Sequence, residues 1–262
     1  MNENRGKSSA YALQISAMAI MGTIGVFRKF IPLPSSLLVL LRGVIGALCI
    51  CLFLLVTGKF KFEKYSPRQL LGMIATGAFL GINWVLLFES YNYTTVATAT
   101  LCNYLAPTVV ILLSPLAFRE MLTPRKLLCA AAALGGMVLV SGVTAEGGFG
   151  SRDFIGAMLA TGAAVFYALM VIANKKATGV APYPKTVIQL LSSAAVILPY
   201  FLLTEDIGSI PWTPTAAVLA LVVCVVHTGI AYVMYFGSMC DLPSQTVATL
   251  SYIDPIVSLL AA

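Results

Sequence analysis

Charge is what this sequence has least of. Only 10% of its residues are Asp, Glu, Lys or Arg, against ~25% in soluble domains, and that deficit excludes an ordinary water-soluble globule. Histidine occurs once, as His227, and tryptophan twice. There is no His-Glu-x-x-His pair, no Gly-x-x-x-x-Gly-Lys-Ser/Thr loop and no exposed Ser/His/Asp arrangement. Metal-dependent hydrolysis and nucleotide-driven pumping both need such sets, so the chain reads as no enzyme, with no cofactor and no metal. The six cysteines (Cys49, Cys51, Cys102, Cys129, Cys224 and Cys240) sit in or beside apolar runs without a C-x-x-C spacing. They read as small buried side chains.

What fills the chain instead is apolar: 59% of its 262 residues are hydrophobic. Runs of about 20 apolar residues span a bilayer. Nine such runs are predicted near 10–28, 36–57, 69–88, 94–118, 125–142, 154–173, 186–203, 214–237 and 243–262. Breaks fall at turn chemistry such as Ser66-Pro67, Thr123-Pro124 and the linker glycines Gly147, Gly148 and Gly150. The fold class is all-α, a polytopic transmembrane helix bundle. Basic residues orient it: with the N-terminus in the cytoplasm, twelve of the sixteen Lys and Arg fall in inner loops and three in outer ones. That asymmetry accounts for the net charge of +6 without nucleic acid as a partner. The expected location is the plasma membrane, with the lipid bilayer itself as the surrounding partner.

The chain also repeats itself. With Pro255 set on Pro107, residues 81–114 align with 229–262 without a gap, and ten of 34 positions are identical, among them Phe88/Phe236, Tyr104/Tyr252 and the prolines. We read two five-helix repeats, 1–142 and an incomplete 153–262. Five is odd, so the copies must be inverted relative to one another. Inverted repeats are a mark of secondary transporters, whose substrate sites lie near the midplane between halves. Ala262 matches Ser114, and the first copy runs 28 residues further, to 142. Ten helices are therefore expected, nine of them present, with the C-terminus truncated.

Candidate site residues follow from depth and cost. Ionised groups in a bilayer core cost ~2.5–3.5 kcal/mol or more, and face bundle interiors or wet cavities. Asp254 lies about 16 Å into the ninth span at 1.5 Å per residue, near the middle of a ~30 Å core. It is a substrate-amine partner or proton carrier, or else a buried carboxylate satisfied by a neighbouring helix. His227, at a similar estimated height on the preceding span, is its expected neighbour, as a proton relay or a plain interhelical hydrogen bond. Arg42 either draws in an anionic group or snorkels to headgroups. Asn83, Trp84, Asn103, Tyr104, Tyr232, Tyr235 and Tyr252 supply the aromatic and amide character of a small-molecule pocket, though aromatics also simply pack. Glu89 and Glu120 read as solvated or capping groups at helix ends. Pro107 and Pro255 are expected to kink their helices at matching depth, freeing the carbonyls of Asn103 and Ser251 into one cavity. Gly77-x-x-x-Gly81, Gly43-x-x-x-Ala47 and the Ala160, Ala164, Ala168 series read as close helix packing.

The chain resembles the EamA-type permeases of the drug/metabolite transporter superfamily. The resemblance is carried by Met21-Gly22-Thr23-Ile24-Gly25-Val26-Phe27, Leu41-Arg42-Gly43, Asn103-Tyr104-Leu105-Ala106-Pro107, Phe118-Arg119-Glu120-Met121-Leu122-Thr123 and Tyr252-Ile253-Asp254-Pro255. It implies a ten-helix, two-repeat permease working by alternating access on a small-molecule substrate, commonly an exporter of amino acids, other metabolites or drugs. Without a nucleotide site, an ion gradient such as protons, or passive exchange, would drive it. The competing reading is an intramembrane enzyme or a non-transporting assembly partner. A membrane enzyme would gather several nucleophiles or acids at one depth, and here only His227 and Asp254 coincide. Oligomeric state, substrate and direction are left open by the residues.

Overall fold

The computed structural model describes residues 3–58, 64–118, 124–140, 152–176, 179–239, 241–242, 246–247 and 250–261. All regular structure among them is helical. In chain order these are α1 (Glu3–Gly22), α2 (Ile24–Lys29), α3 (Ser35–Val56), α4 (Pro67–Ser90), α5 (Val96–Asn103), α6 (Ala106–Phe118) and α7 (Pro124–Val140). There follow α8 (Arg152–Lys176), α9 (Pro182–Thr204), α10 (Pro214–Val222), a π-helical segment (Val223–Ile230), α11 (Ala231–Met239) and α12 (Ile253–Ala261). Seven stretches are long and apolar enough to cross a membrane among the described residues. The expected Arg119–Thr123 motif, Glu120 and the linker glycines lie outside the described residues.

Local chemistry explains where the helices start. Ser66 and Gln69 form a capping box ahead of Pro67 at the first helical position, the arrangement that satisfies orphan N–H groups reciprocally. Thr95 and Thr213 cap α5 and α10 through their hydroxyls, and Pro182 and Pro214 open their helices where no N–H is needed.

Four predicted spans are broken rather than straight. The first divides at Thr23 and the fourth at Tyr104-Leu105. The eighth relaxes into π geometry around His227, and the ninth turns at Ser251-Tyr252 before α12 begins. The two proline-linked breaks fall one residue apart in the repeat. Their surroundings differ from expectation, however. Pro255 is buried while Pro107 is exposed. The Ser251 carbonyl is also not left free, because it accepts the Asp254 N–H at 3.3 Å. One turn of tighter hydrogen bonding replaces the bond that proline removes.

Small residues set the packing. α9 lies against both α3 and α4, and α4 also lies along α8. A Cβ on Gly77 would stand 2.4 Å from the Gln189 carbonyl oxygen, and one on Gly43 would stand 2.7 Å from that of Leu190. On α8, Ala160, Ala164 and Ala168 are fully buried. In lipid, where burial of apolar surface drives little, such close backbone approach is what associates helices. Polar bonds add to it: the Gln189 side-chain amide donates to Thr76 Oγ1 and to Asn174 Oδ1, both at 2.8 Å. Gln189→Leu should therefore lower the melting temperature in detergent, by roughly the 1–3 kcal/mol of stranded buried acceptors. An unchanged melt would show these bonds to be incidental.

Candidate functional site

The breaks and bulges converge. A cavity of about 180 Å³ lies among the α1–α2 junction, α3, α4, α5, α8, the π-helical segment, α11 and α12. Its wall includes Arg42, Asn83, Trp84, Asn103, Tyr104, His227, Tyr232 and Asp254. Eight of the ten residues singled out as pocket formers thus meet in one place. The other two do not: Tyr235 packs against the cluster of Ala10, Leu242 and Val247, and Tyr252 is 65% exposed on the outside of the bundle. The turn that precedes Pro255 rotates it outward, whereas Tyr104, its counterpart in the first half, faces in. Trp84 and Tyr232, which also correspond in the repeat, both line the cavity.

Arg42 enters from α3 and is only 4% exposed, which removes the snorkelling alternative. Its guanidinium lies 3.7 Å over the Trp84 ring and 5.1 Å from that of Phe88, within the reach of cation–π attraction. Its Nε donates to Thr228 Oγ1 at 3.0 Å. The Thr228 hydroxyl in turn donates to the Val223 carbonyl at 3.3 Å, so the π-helical turn supplies the acceptor. Bulges of this kind recur at functional positions because they re-aim side chains.

Asp254 sits at the start of α12, and it lines the cavity together with Tyr104. One turn further along α12, Ser258 meets Thr100 of α5 at 3.0 Å. The expected pairing of Asp254 with His227 is replaced by separate attachments. His227 is held by Thr23 Oγ1 at 3.0 Å and by the Phe27 ring edge at 4.9 Å between centroids. Thr23 already donates to the Ile20 carbonyl at 2.8 Å, which leaves the imidazole as donor to the hydroxyl. His227 therefore ties the π-helical segment to the broken first span, and it shares the cavity with Asp254 without bonding to it.

The amides have partners of their own. Asn83 donates to Asn103 Oδ1 at 3.2 Å and to the Ala163 carbonyl at 2.8 Å, linking α4, α5 and α8 behind the aromatic wall. Glu89 lies away from the cavity, accepting from Ser35 and Asn92 at 3.0 and 3.2 Å.

Sequence reasoning missed Thr23, Tyr91, Thr100, Tyr167, Thr228 and Ser258. Two of them carried a signal: Ser258 follows Asp254 by one helical turn and so shares its face, and Thr23 sits inside the glycine-flanked run that carries the resemblance. Tyr91 and Tyr167 gave none: an aromatic at a helix end, as Tyr91 is, reads equally as an interfacial anchor, and one in mid-helix, as Tyr167 is, reads equally as packing.

Comparison with known proteins agrees with this picture. The model of the EamA-like transporter family matches residues 8–142 and again 154–262. An uncharacterized transporter, YxxF, of Bacillus subtilis is 31% identical over 98% of this chain and 82% of its own length. Uncharacterized transporters of Archaeoglobus fulgidus and Pseudomonas aeruginosa are 29% and 25% identical, over 94% and 96% of this chain and 83% of each relative. A crystal structure with 23% identity superposes with a TM-score of 0.63 over 97% of this chain and 86% of its own, a likeness of fold.

Proposed function

The chain belongs to the EamA-like transporter family, a family of membrane transporters, and on that premise we propose that it is a secondary-active permease whose substrate site is the Arg42–Asp254 cavity. The single observation that carries this reading is the convergence of a cation, a carboxylate and several aromatics in one small space. That space is walled by both matched halves. Buried ionisable groups in membrane segments face solute or ion pathways by default. A site between two halves is where rocking of one half against the other would expose it alternately.

In this reading the halves, 1–142 and 153–262, are inverted five-helix repeats, the N-terminus is cytoplasmic and the membrane is the plasma membrane. Transport draws on an ion gradient, with Asp254 as the proton carrier or amine partner. The resemblance to metabolite and drug exporters makes export the working direction.

The test is untargeted metabolite profiling of cells with and without the gene, followed by flux of each changed solute in reconstituted vesicles under an imposed proton gradient. Expected is a solute that accumulates inside cells lacking the gene and moves through the vesicles only when the protein is present. Vesicles that show no protein-dependent flux of any such solute would overturn the reading.

A further inference from the structure

Two arginines are buried among the described residues, and the contrast between them is informative. Arg28, 5% exposed, places one terminal nitrogen on the Ile31 carbonyl at 2.8 Å and the other on Ser35 Oγ at 2.9 Å. Ser35 then donates to a Glu89 carboxylate oxygen at 3.0 Å. Acceptors thus meet both ends of its fork and an anion stands behind them, while its Nε has no partner among the described residues.

Arg42 is as deeply buried and is treated differently. Among the described residues only its Nε finds a hydrogen-bond acceptor, Thr228. The flat face of the guanidinium is fixed by Trp84, and the group lines the cavity. With Nε and one face committed, what remains is the edge carrying the two terminal nitrogens. A planar pair of N–H donors in a fixed orientation matches the two oxygens of a carboxylate, which arginine binds in a bidentate fork. A cation in a low-dielectric bundle with no anion bonded to it is poised for one that arrives with the solute.

Resting on the reading of this cavity as a transport site, we propose that the solute is a small carboxylate held by the Arg42 fork, with its apolar body against the aromatic wall, and that Thr228 is the positioning residue that aims the fork. Carboxylate is favoured over phosphate by charge. Asp254 shares the cavity and Arg42 is its only arginine or lysine among the described residues, so a dianion would be left with one cation and a carboxyl group facing it.

Trp84 makes the test direct, because it is one of two tryptophans and the other, Trp212, is 52% exposed and can be removed. Full-length Trp212→Phe protein in nanodiscs would be titrated with benzoate, benzamide, benzylamine and phenyl phosphate, and Trp84 emission read at each step. Benzoate should produce a saturable change, and the other three should bind at least ~10-fold more weakly, the value of a charge-assisted bidentate contact. Arg42→Gln should abolish the benzoate response. Thr228→Val should weaken it, and Thr228→Ser, which restores the acceptor, should recover it. If Arg42→Gln fails to fold, the Thr228 pair carries the test, since Arg42 stays in place there. Equal or tighter binding of benzamide, benzylamine or phenyl phosphate would overturn the proposal and leave the transport reading intact. Silence from all four would overturn it too, while vesicle flux decides transport separately.

Discussion

Asp254→Asn is expected to abolish proton-driven accumulation in reconstituted vesicles while leaving the protein folded. The amide keeps the side chain's size and one of its oxygens, so α12 should still close over the cavity. What the amide cannot do is take up and release a proton, or balance a cationic amine. If Asp254 couples transport to a gradient, accumulation should fall to the level of simple equilibration. Residual downhill exchange should fall roughly 10- to 100-fold, the loss attached to one charged hydrogen-bonding group. His227→Ala should do less, because His227 bonds to Thr23 across the α1–α2 break and not to Asp254. Vesicles carrying Asp254→Asn that accumulate solute as well as the parent at acid, neutral and alkaline pH would make Asp254 a structural residue. A folded but inactive Asp254→Asn with an active His227→Ala is the expected pattern.

How much of this was legible beforehand depends on the kind of information each residue carries. Helix class follows from length and polarity, which are one-dimensional, and the seven membrane-long stretches among the described residues fall within a few residues of predicted spans. Depth is also one-dimensional, and it picked out Asp254, His227 and Arg42. Rotation about a helix axis is different, because it depends on local departures from ideal geometry. Tyr104 and Tyr252 are matched residues in matched motifs, yet one lines the cavity and the other faces outward. The turns before Pro107 and Pro255 fall one residue apart in the repeat, at 104–105 and 251–252. A shift of one residue turns a helical side chain by about 100°, enough to exchange inside for outside. The π-helical segment acted similarly. An even 3.6-residue period gives no reason to place Thr228 on Arg42, and the wider turn from Val223 to Ile230 does. The sequence could say which chemistry lies at which depth, and the backbone irregularities decide which of it meets.

The same irregularities create the tightest contact in the site. Gly22 ends α1 where it meets α12, and a Cβ added there would stand 2.5 Å from the Asp254 carbonyl oxygen and 2.8 Å from Val257 Cβ. Neither neighbour is the yielding end of a flexible chain. The oxygen is backbone at the start of α12, and the Val257 atom is fixed to that backbone. Gly22→Ala must therefore push α12 away from α1 and carry Asp254 with it, reshaping the cavity wall. Overpacking of this kind costs about 1–3 kcal/mol, more where backbone must move, so both a lower melting temperature and loss of transport are expected. Gly135 is the control, since among the described residues nothing lies within 4 Å of a Cβ built on it, and Gly135→Ala should transport normally. Val257→Ala should not rescue Gly22→Ala, because it removes the Cγ1 contact at 3.1 Å and leaves the carbonyl oxygen where it was. Wild-type flux in Gly22→Ala would mean that Asp254 does not depend on the seat α1 provides.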